Sequence, residues 1–179
     1  MTAMISEVAA PPHPLERARG GDHAAFAEIV ADHESMVFSI AYHFFNDRDR
    51  AQEIAQDAFL KLYRNLDSIE SPEHLTHWLR QVTTRSCIDI TRRSRLRAVS
   101  IDEVMELEAS SKPSDPLLGR KLRALVAGLP ETQRVILTLR YQEDLDPSDI
   151  CGIVGLPVNT VKSHLHRALQ SLRKKLGDQ

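Results

Sequence analysis

The sequence predicts an all-α protein: two small helical domains joined by a flexible acidic linker, the second containing a helix-turn-helix. Three observations carry this. Apolar residues recur every three or four positions along most of the chain. Only 7 of the 179 residues are glycine, and strand-like runs of Val, Ile and Thr are scarce. An acidic stretch, 99–116, contains Ser110-Ser111, Pro113 and Pro116 and separates two amphipathic halves.

Residues 1–14 carry three prolines and little periodicity, so an unstructured tail is expected over 1–21. Asp22 is placed to cap a first helix. On it Phe26, Ile29, Val30, Val37, Ile40, Ala41 and Phe44 keep helical spacing. Asn46-Asp47 breaks the pattern. A second helix over 48–66 sets Ile54, Ala58, Phe59, Leu62 and Leu66 on one face. Turn residues follow, and Ser71 is a cap for a third helix with Pro72 at its first position. Leu75, Trp78, Leu79 and Val82 form its stripe, which assigns the only tryptophan to the core. This helix, 72–93, ends in the basic run Arg92-Arg93-Ser94-Arg95-Leu96-Arg97. The first domain is thus 22–98.

The second domain is 117–179. Leu118, Leu122, Leu125, Val126 and Leu129 are helically spaced, and Pro130 closes that helix. Residues 131–141 turn Val135, Ile136 and Leu139 inward. Asp146 and Pro147 open a short helix that runs to Val154. Gly155 and Pro157 make a tight turn, and a last helix, Val158 to Leu176, keeps Val161, Leu165, Ala168, Leu172 and Leu176 on one side.

Composition narrows the function. The longest apolar stretches fall short of the roughly 20 residues that span a bilayer. Met1–Pro14 has neither the basic start nor the apolar core of a signal peptide, so a cytoplasmic location is expected. Cys87 and Cys151 lie far apart inside apolar-periodic segments, which suits small packed side chains better than a redox or zinc pair. There is no phosphate-binding glycine loop, no nucleophile elbow and no clustered ligand set. No catalysis, cofactor or metal is expected.

Charge is unevenly placed. The net charge is -2, yet residues 80–99 hold six cations against one acid, and 160–179 hold five against one. Phosphate affinity follows local patches rather than the total, although a basic run can equally be a solvated helix face.

The strongest feature is the short helix, glycine turn and longer helix over 149–176. In a helix-turn-helix the second helix enters the major groove and its first residues touch base edges. If Val161 points inward, then Leu165, Ala168 and Leu172 fall within about 40° of it at 100° per residue. Asn159, Ser163, His166 and Gln170 face the other way, flanked by Lys162 and Arg167. Asn reads adenine, Arg and Lys read guanine, and Ser suits bases or phosphates. His164 and His166 diverge by about 200° and cannot share a metal within the helix. A second basic site is the helix 72–93, whose Arg80, Arg85, Arg92 and Arg93 offer phosphate contacts to a single strand.

Four motifs carry a family resemblance. Gln56-Asp57-Ala58-Phe59-Leu60-Lys61-Leu62-Tyr63-Arg64-Asn65-Leu66 resembles the polymerase-binding helix of extracytoplasmic-function sigma factors. His77-Trp78-Leu79-Arg80-Gln81-Val82, with Ile88-Asp89 and Arg92-Arg93, resembles their promoter-melting segment. Leu129-Pro130-Glu131-Thr132-Gln133-Arg134 and the run Pro157–Ala168 resemble their second domain. The four stand in the family's order. Arg50-Ala51-Gln52-Glu53 departs from the family's usual Asp-Ala-Glu-Asp, and His164 stands where Arg is common.

The resemblance implies a promoter-specificity subunit of RNA polymerase, whose first domain is sigma region 2 and whose second is sigma region 4. It implies core polymerase contacts at Glu53, Gln56, Asp57, Lys61 and Arg64. It implies -10 capture and melting by Asn65, Asp67, Ser68, Ser71, His74, Arg80, Arg85, Arg92 and Arg93. It implies -35 reading by Asn159, Thr160, Lys162, Ser163, His166 and Arg167. Core RNA polymerase, promoter DNA and an anti-sigma protein are the implied partners, and a stress or envelope-response regulon is the implied setting. Two alternatives remain at this point: a helix-turn-helix regulator acting without polymerase, and a sigma mimic that sequesters an anti-sigma protein.

Overall fold

A computed structural model describes residues 12–98 and 116–177. The first eleven residues of the expected tail, and nearly all of the expected linker, lie outside the described residues. Eight α-helices make up the fold, with no strand among the described residues: α1 (Pro14–Arg19), α2 (His23–Phe45), α3 (Arg48–Arg64), α4 (Pro72–Ala98), α5 (Pro116–Ala127), α6 (Glu131–Tyr141), α7 (Pro147–Val154) and α8 (Val158–Gly177). A 3-10 turn, Leu66–Ser68, follows α3. No described helix is long and apolar enough to cross a membrane.

Local chemistry sets most boundaries. The Asp22 carboxylate accepts from the N–H groups of Ala24 and Ala25 at 2.9 and 3.1 Å. Such a cap is worth about 1 kcal/mol. Asn46 ends α2 in the left-handed region at φ 54°, and Asp47 then caps α3 by accepting from Arg50 N–H at 3.0 Å. Ser71 Oγ accepts from His74 N–H at 3.1 Å, with Pro72 at the first helical position as expected.

Order begins earlier than expected. The expected tail, 1–21, contains α1, which buries Leu15 and Ala18 against Ala25, Ile29, Leu62 and Leu66. Arg19 Nε donates to Leu66 O at 3.2 Å and holds the helix to the turn after α3. Two apolar residues are too few for a periodic signal, so only the distant surface reveals the helix. The α4 helix also runs on to Ala98, five residues past the expected end.

The first unit is built by α2 packed on α3 and α4 around Ile29, Val37, Ala58, Leu62, Ile69, Leu75 and Leu79, with Trp78 at the margin of that core. A small cluster of Leu129, Ala168 and Leu172 belongs to the second unit alone. The third cluster belongs to both. Ile40, Phe44, Ile54 and Cys87 of the first unit share one buried core with Val135, Ile136, Leu139, Ile150, Ile153 and Val161 of the second. The two expected domains therefore pack as one body.

Arg134 stitches this junction. Its guanidinium, on α6, donates to Leu129 O at 3.2 Å, to Ala127 O, and to Phe44 O of α2 at 3.4 Å. It also lies 4.8 Å from the centre of the Phe44 ring. Burial pulls its pKa down, and Glu131 opposes that pull. A guanidinium nevertheless stays charged in proteins, so the carbonyl oxygens and the ring face replace its lost water.

Candidate nucleic-acid and polymerase interface

The helix-turn-helix forms as expected. Gly155 sits at φ 69°, and its N–H donates to Cys151 O at 2.9 Å. Only glycine takes that backbone without a Cβ penalty. The N–H groups of Thr160 and Val161 then donate to Pro157 O and start α8. Val161, Ala168 and Leu172 are buried. Asn159, Lys162, Ser163, His166 and Arg167 are exposed on the opposite face, while Thr160 is half-buried. Ser163 Oγ donates back to Asn159 O at 2.8 Å. That leaves the hydroxyl oxygen free to accept and fixes its direction. Lys162 and Arg167 have no ion-pair partner among the described residues, and α8 contains no acid. The helix dipole adds positive potential at its N-terminal end, where an anionic duplex would approach.

The loop between α3 and α4 is closed by its own side chains. Asn65 Nδ2 donates to Lys61 O and Ser68 Oγ to Asn65 O, both at 2.7 Å. Glu70 N–H donates to His74 Nδ1 at 3.1 Å. Four candidate strand-capturing residues (Asn65, Ser68, Ser71, His74) thus shape the loop, and Asp67 stands exposed at its rim. Glu73, at the start of α4, titrates below the usual carboxylate range because backbone and Ser71 hydrogen bonds favour its charge.

Arg80, Arg85, Arg92 and Arg93 of α4 do not form one patch. Arg85, Arg92 and Arg93 are exposed. Arg93 lies in a groove between α3 and α4, beside Glu53, Gln56, Asp57 and Lys61, where the polymerase contacts were expected. Arg80 turns towards the second unit, with its guanidinium 3.9 Å from the Glu143 carboxylate. The same groove shows what sequence reasoning missed. Leu60 stands 53% exposed on its wall. It lies off the buried stripe of α3, and an apolar side chain on the polar face was the signal. Lys61 reaches across to Ser86 at 3.2 Å, whereas Arg64 is exposed outside the groove. A second groove, between α2 and α3, presents Phe38 stacked on Tyr42 at 5.7 Å, with Arg48 over Phe38.

Comparison with known proteins decides the family. The family model described as Sigma-70 region 2 matches residues 29–97, and that described as Sigma-70, region 4 matches 119–172. The ECF RNA polymerase sigma factor SigW of Bacillus subtilis is 28% identical over 178 residues, covering 92% of this chain and 95% of SigW. The chain belongs to the extracytoplasmic-function sigma factors.

As a sigma factor it is an initiation factor rather than an enzyme, and it gives RNA polymerase its promoter recognition. The ECF sigma-E factor of Escherichia coli is 27% identical over 176 residues, covering 90% of this chain and 92% of its own. Among solved structures, RpoE in complex with the anti-sigma factor NepR from Bartonella quintana superposes with a TM-score of 0.72 at 21% identity, over 85% of this chain and 96% of that one. CnrH in complex with the cytosolic domain of CnrY gives 0.66 at 19%, over 92% and 96%. These two likenesses bear on the fold. In this sigma factor the two units that the family models match are α2 to α4 and α5 to α8, and the shared core lies between them.

Proposed function

We propose that this sigma factor divides its work among three surfaces. The groove between α3 and α4 docks on core RNA polymerase through Glu53, Gln56, Asp57 and Lys61, with Leu60 as the apolar centre. The loop after α3 and the exposed arginines of α4 capture the -10 strand. Extruding a base costs a few kcal/mol, which a preformed loop and nearby cations offset. The outer face of α8 reads the -35 element through Lys162, Ser163, His166 and Arg167, with Asn159 and Thr160 at the groove edge.

One observation carries the reading. A glycine turn presents a helix whose exposed face holds cations and short polar groups, with no acid along its length. A solvated helix face needs no such bias.

The protein works in the cytoplasm, where the polymerase is, and serves a stress or envelope-response regulon. An anti-sigma protein holds it inactive, by analogy with the relatives solved in such complexes. The test is transcription in vitro with purified core polymerase and a genomic promoter library. Specific new start sites on adding this chain are expected, and their absence from every template would refute the reading.

A further inference from the structure

The loop between α3 and α4 carries the wrong charge for a strand. Residues 65–71 include Asp67 and Glu70, both exposed, and no lysine or arginine. A strand whose base enters this loop brings its phosphates past two carboxylates, which repel them. A cation that holds the backbone there has to come from a neighbouring element.

The α1 helix touches both ends of the loop. At the α3 end, Arg19 Nε donates to Leu66 O at 3.2 Å. At the α4 end, Glu73 takes its charge readily, through backbone and Ser71 hydrogen bonds first and the proximity of His13 last. His13 is the residue that caps α1, accepting from Leu15 N–H at 3.1 Å. Between these ends Leu15 and Ala18 share one buried cluster with Leu66 and Ile69. The helix therefore backs the loop, while Asn65, Asp67, Ser68 and Glu70 stay exposed.

The two arginines of α1 differ in what they hold. Arg17 pairs with Asp22 at 3.4 Å and with Glu28. Arg19 is exposed and pairs with no carboxylate among the described residues. Its Nε bond fixes the guanidinium against the loop, and Nη1 and Nη2 have no partner among the described residues. A planar fork held in this way offers its remaining N–H donors to the oxygens of a phosphate. Leu66 O also accepts from Ile69 N–H at 3.1 Å, so the turn does not depend on Arg19 for its closure.

We propose that Arg19 binds a backbone phosphate of the -10 strand, beside the nucleotide that the loop captures, and that α1 is thereby one wall of the strand-binding site. The proposal rests on the placement of -10 capture in this loop. It adds a contact from a helix outside the four motifs of the family resemblance.

The test uses holoenzyme and a labelled single strand carrying a -10 element taken from a promoter that the library yields. Anisotropy gives the affinity across salt concentrations. Removing one phosphate contact should flatten the slope of log K against log salt by about 0.7. The advantage of wild type over Arg19→Ala then shrinks about 2.6-fold between 50 and 200 mM salt. The loss should be equal on strands of altered -10 sequence, because phosphates carry no base identity. Arg19→Gln keeps an amide donor for Leu66 O without the charge and should behave as Arg19→Ala. Arg19→Lys should keep the wild-type slope. Lys and Gln both lose the planar fork, so the difference between them isolates charge even where the loop loosens.

An unchanged slope in Arg19→Ala overturns the phosphate contact. Recovery of the slope by Arg19→Gln also overturns it, since the hydrogen bond to the loop would then be the whole role. Ser68→Ala tests the underlying reading separately. If it leaves base preference at the -10 element intact, the loop is not the site of capture and the proposal falls with it.

Discussion

Glu143 and Arg167 show how differently two charged side chains serve this fold. Burial raises the Glu143 carboxyl above its usual value of 4.5, and Arg80 and Ser39 only partly counter it. The ionised form is therefore the disfavoured one in the folded chain. Stability from this group is fully present below 4.5 and is lost as the pH rises through the raised value. Glu143→Gln has no such dependence. Its melting temperature should match or exceed the wild type at pH 7, with the advantage vanishing on acidification towards 4.5. A scan of melting against pH checks both arms. Arg167 is exposed and free of ion pairs among the described residues, so its removal should leave stability unchanged. Arg167→Ala should instead relax discrimination among -35 variants by about 1–3 kcal/mol, read by competition binding of the holoenzyme.

At the scale of elements, turns and caps were the legible part. Asp22, Asn46-Asp47, Ser71-Pro72 and Gly155 act on backbone groups a few residues away, so local sequence names them. Gly155 is the sharpest case. Gly155→Val forces a branched side chain to φ 69° and should cost about 2 kcal/mol, with loss of -35 binding because α8 is re-aimed. Heat denaturation and duplex binding measured together separate the two effects. The α1 helix was illegible for the opposite reason: Leu15 and Ala18 gain their burial from α2 and the turn after α3, which periodicity cannot see. Leu60 lay between these cases, visible as an apolar residue off the stripe yet silent about its purpose. Leu60→Asp should weaken capture of core polymerase by more than about 1 kcal/mol with little change in folding, since the side chain is exposed. Pull-down titration against purified core enzyme measures it.

At the scale of the molecule, two amphipathic halves and a polar divide predicted two domains but not their meeting. Ile40, Phe44 and Cys87 read as residues of a first core, and Val135, Ile136 and Leu139 as residues of a second. Each pattern was satisfied by its own half, so nothing in the periodicity asked for a partner. The structure joins them into one cluster. Arg134 was read as part of a family motif, and its reach across to Phe44 O depends on that joining.

Cys87 turns the junction into a clock. Its thiol is fully buried in the shared core, and burial pushes its pKa up to about 12. At pH 8 only about one thiol in ten thousand is then the reactive thiolate. Cys151, at the edge of the same core, is half-buried. A thiol reagent should label Cys151 promptly and Cys87 only as often as the two halves separate. Mass spectrometry of the labelled chain would resolve the two rates. The slower one would count excursions of the native molecule, using a reporter that its own sequence already provides.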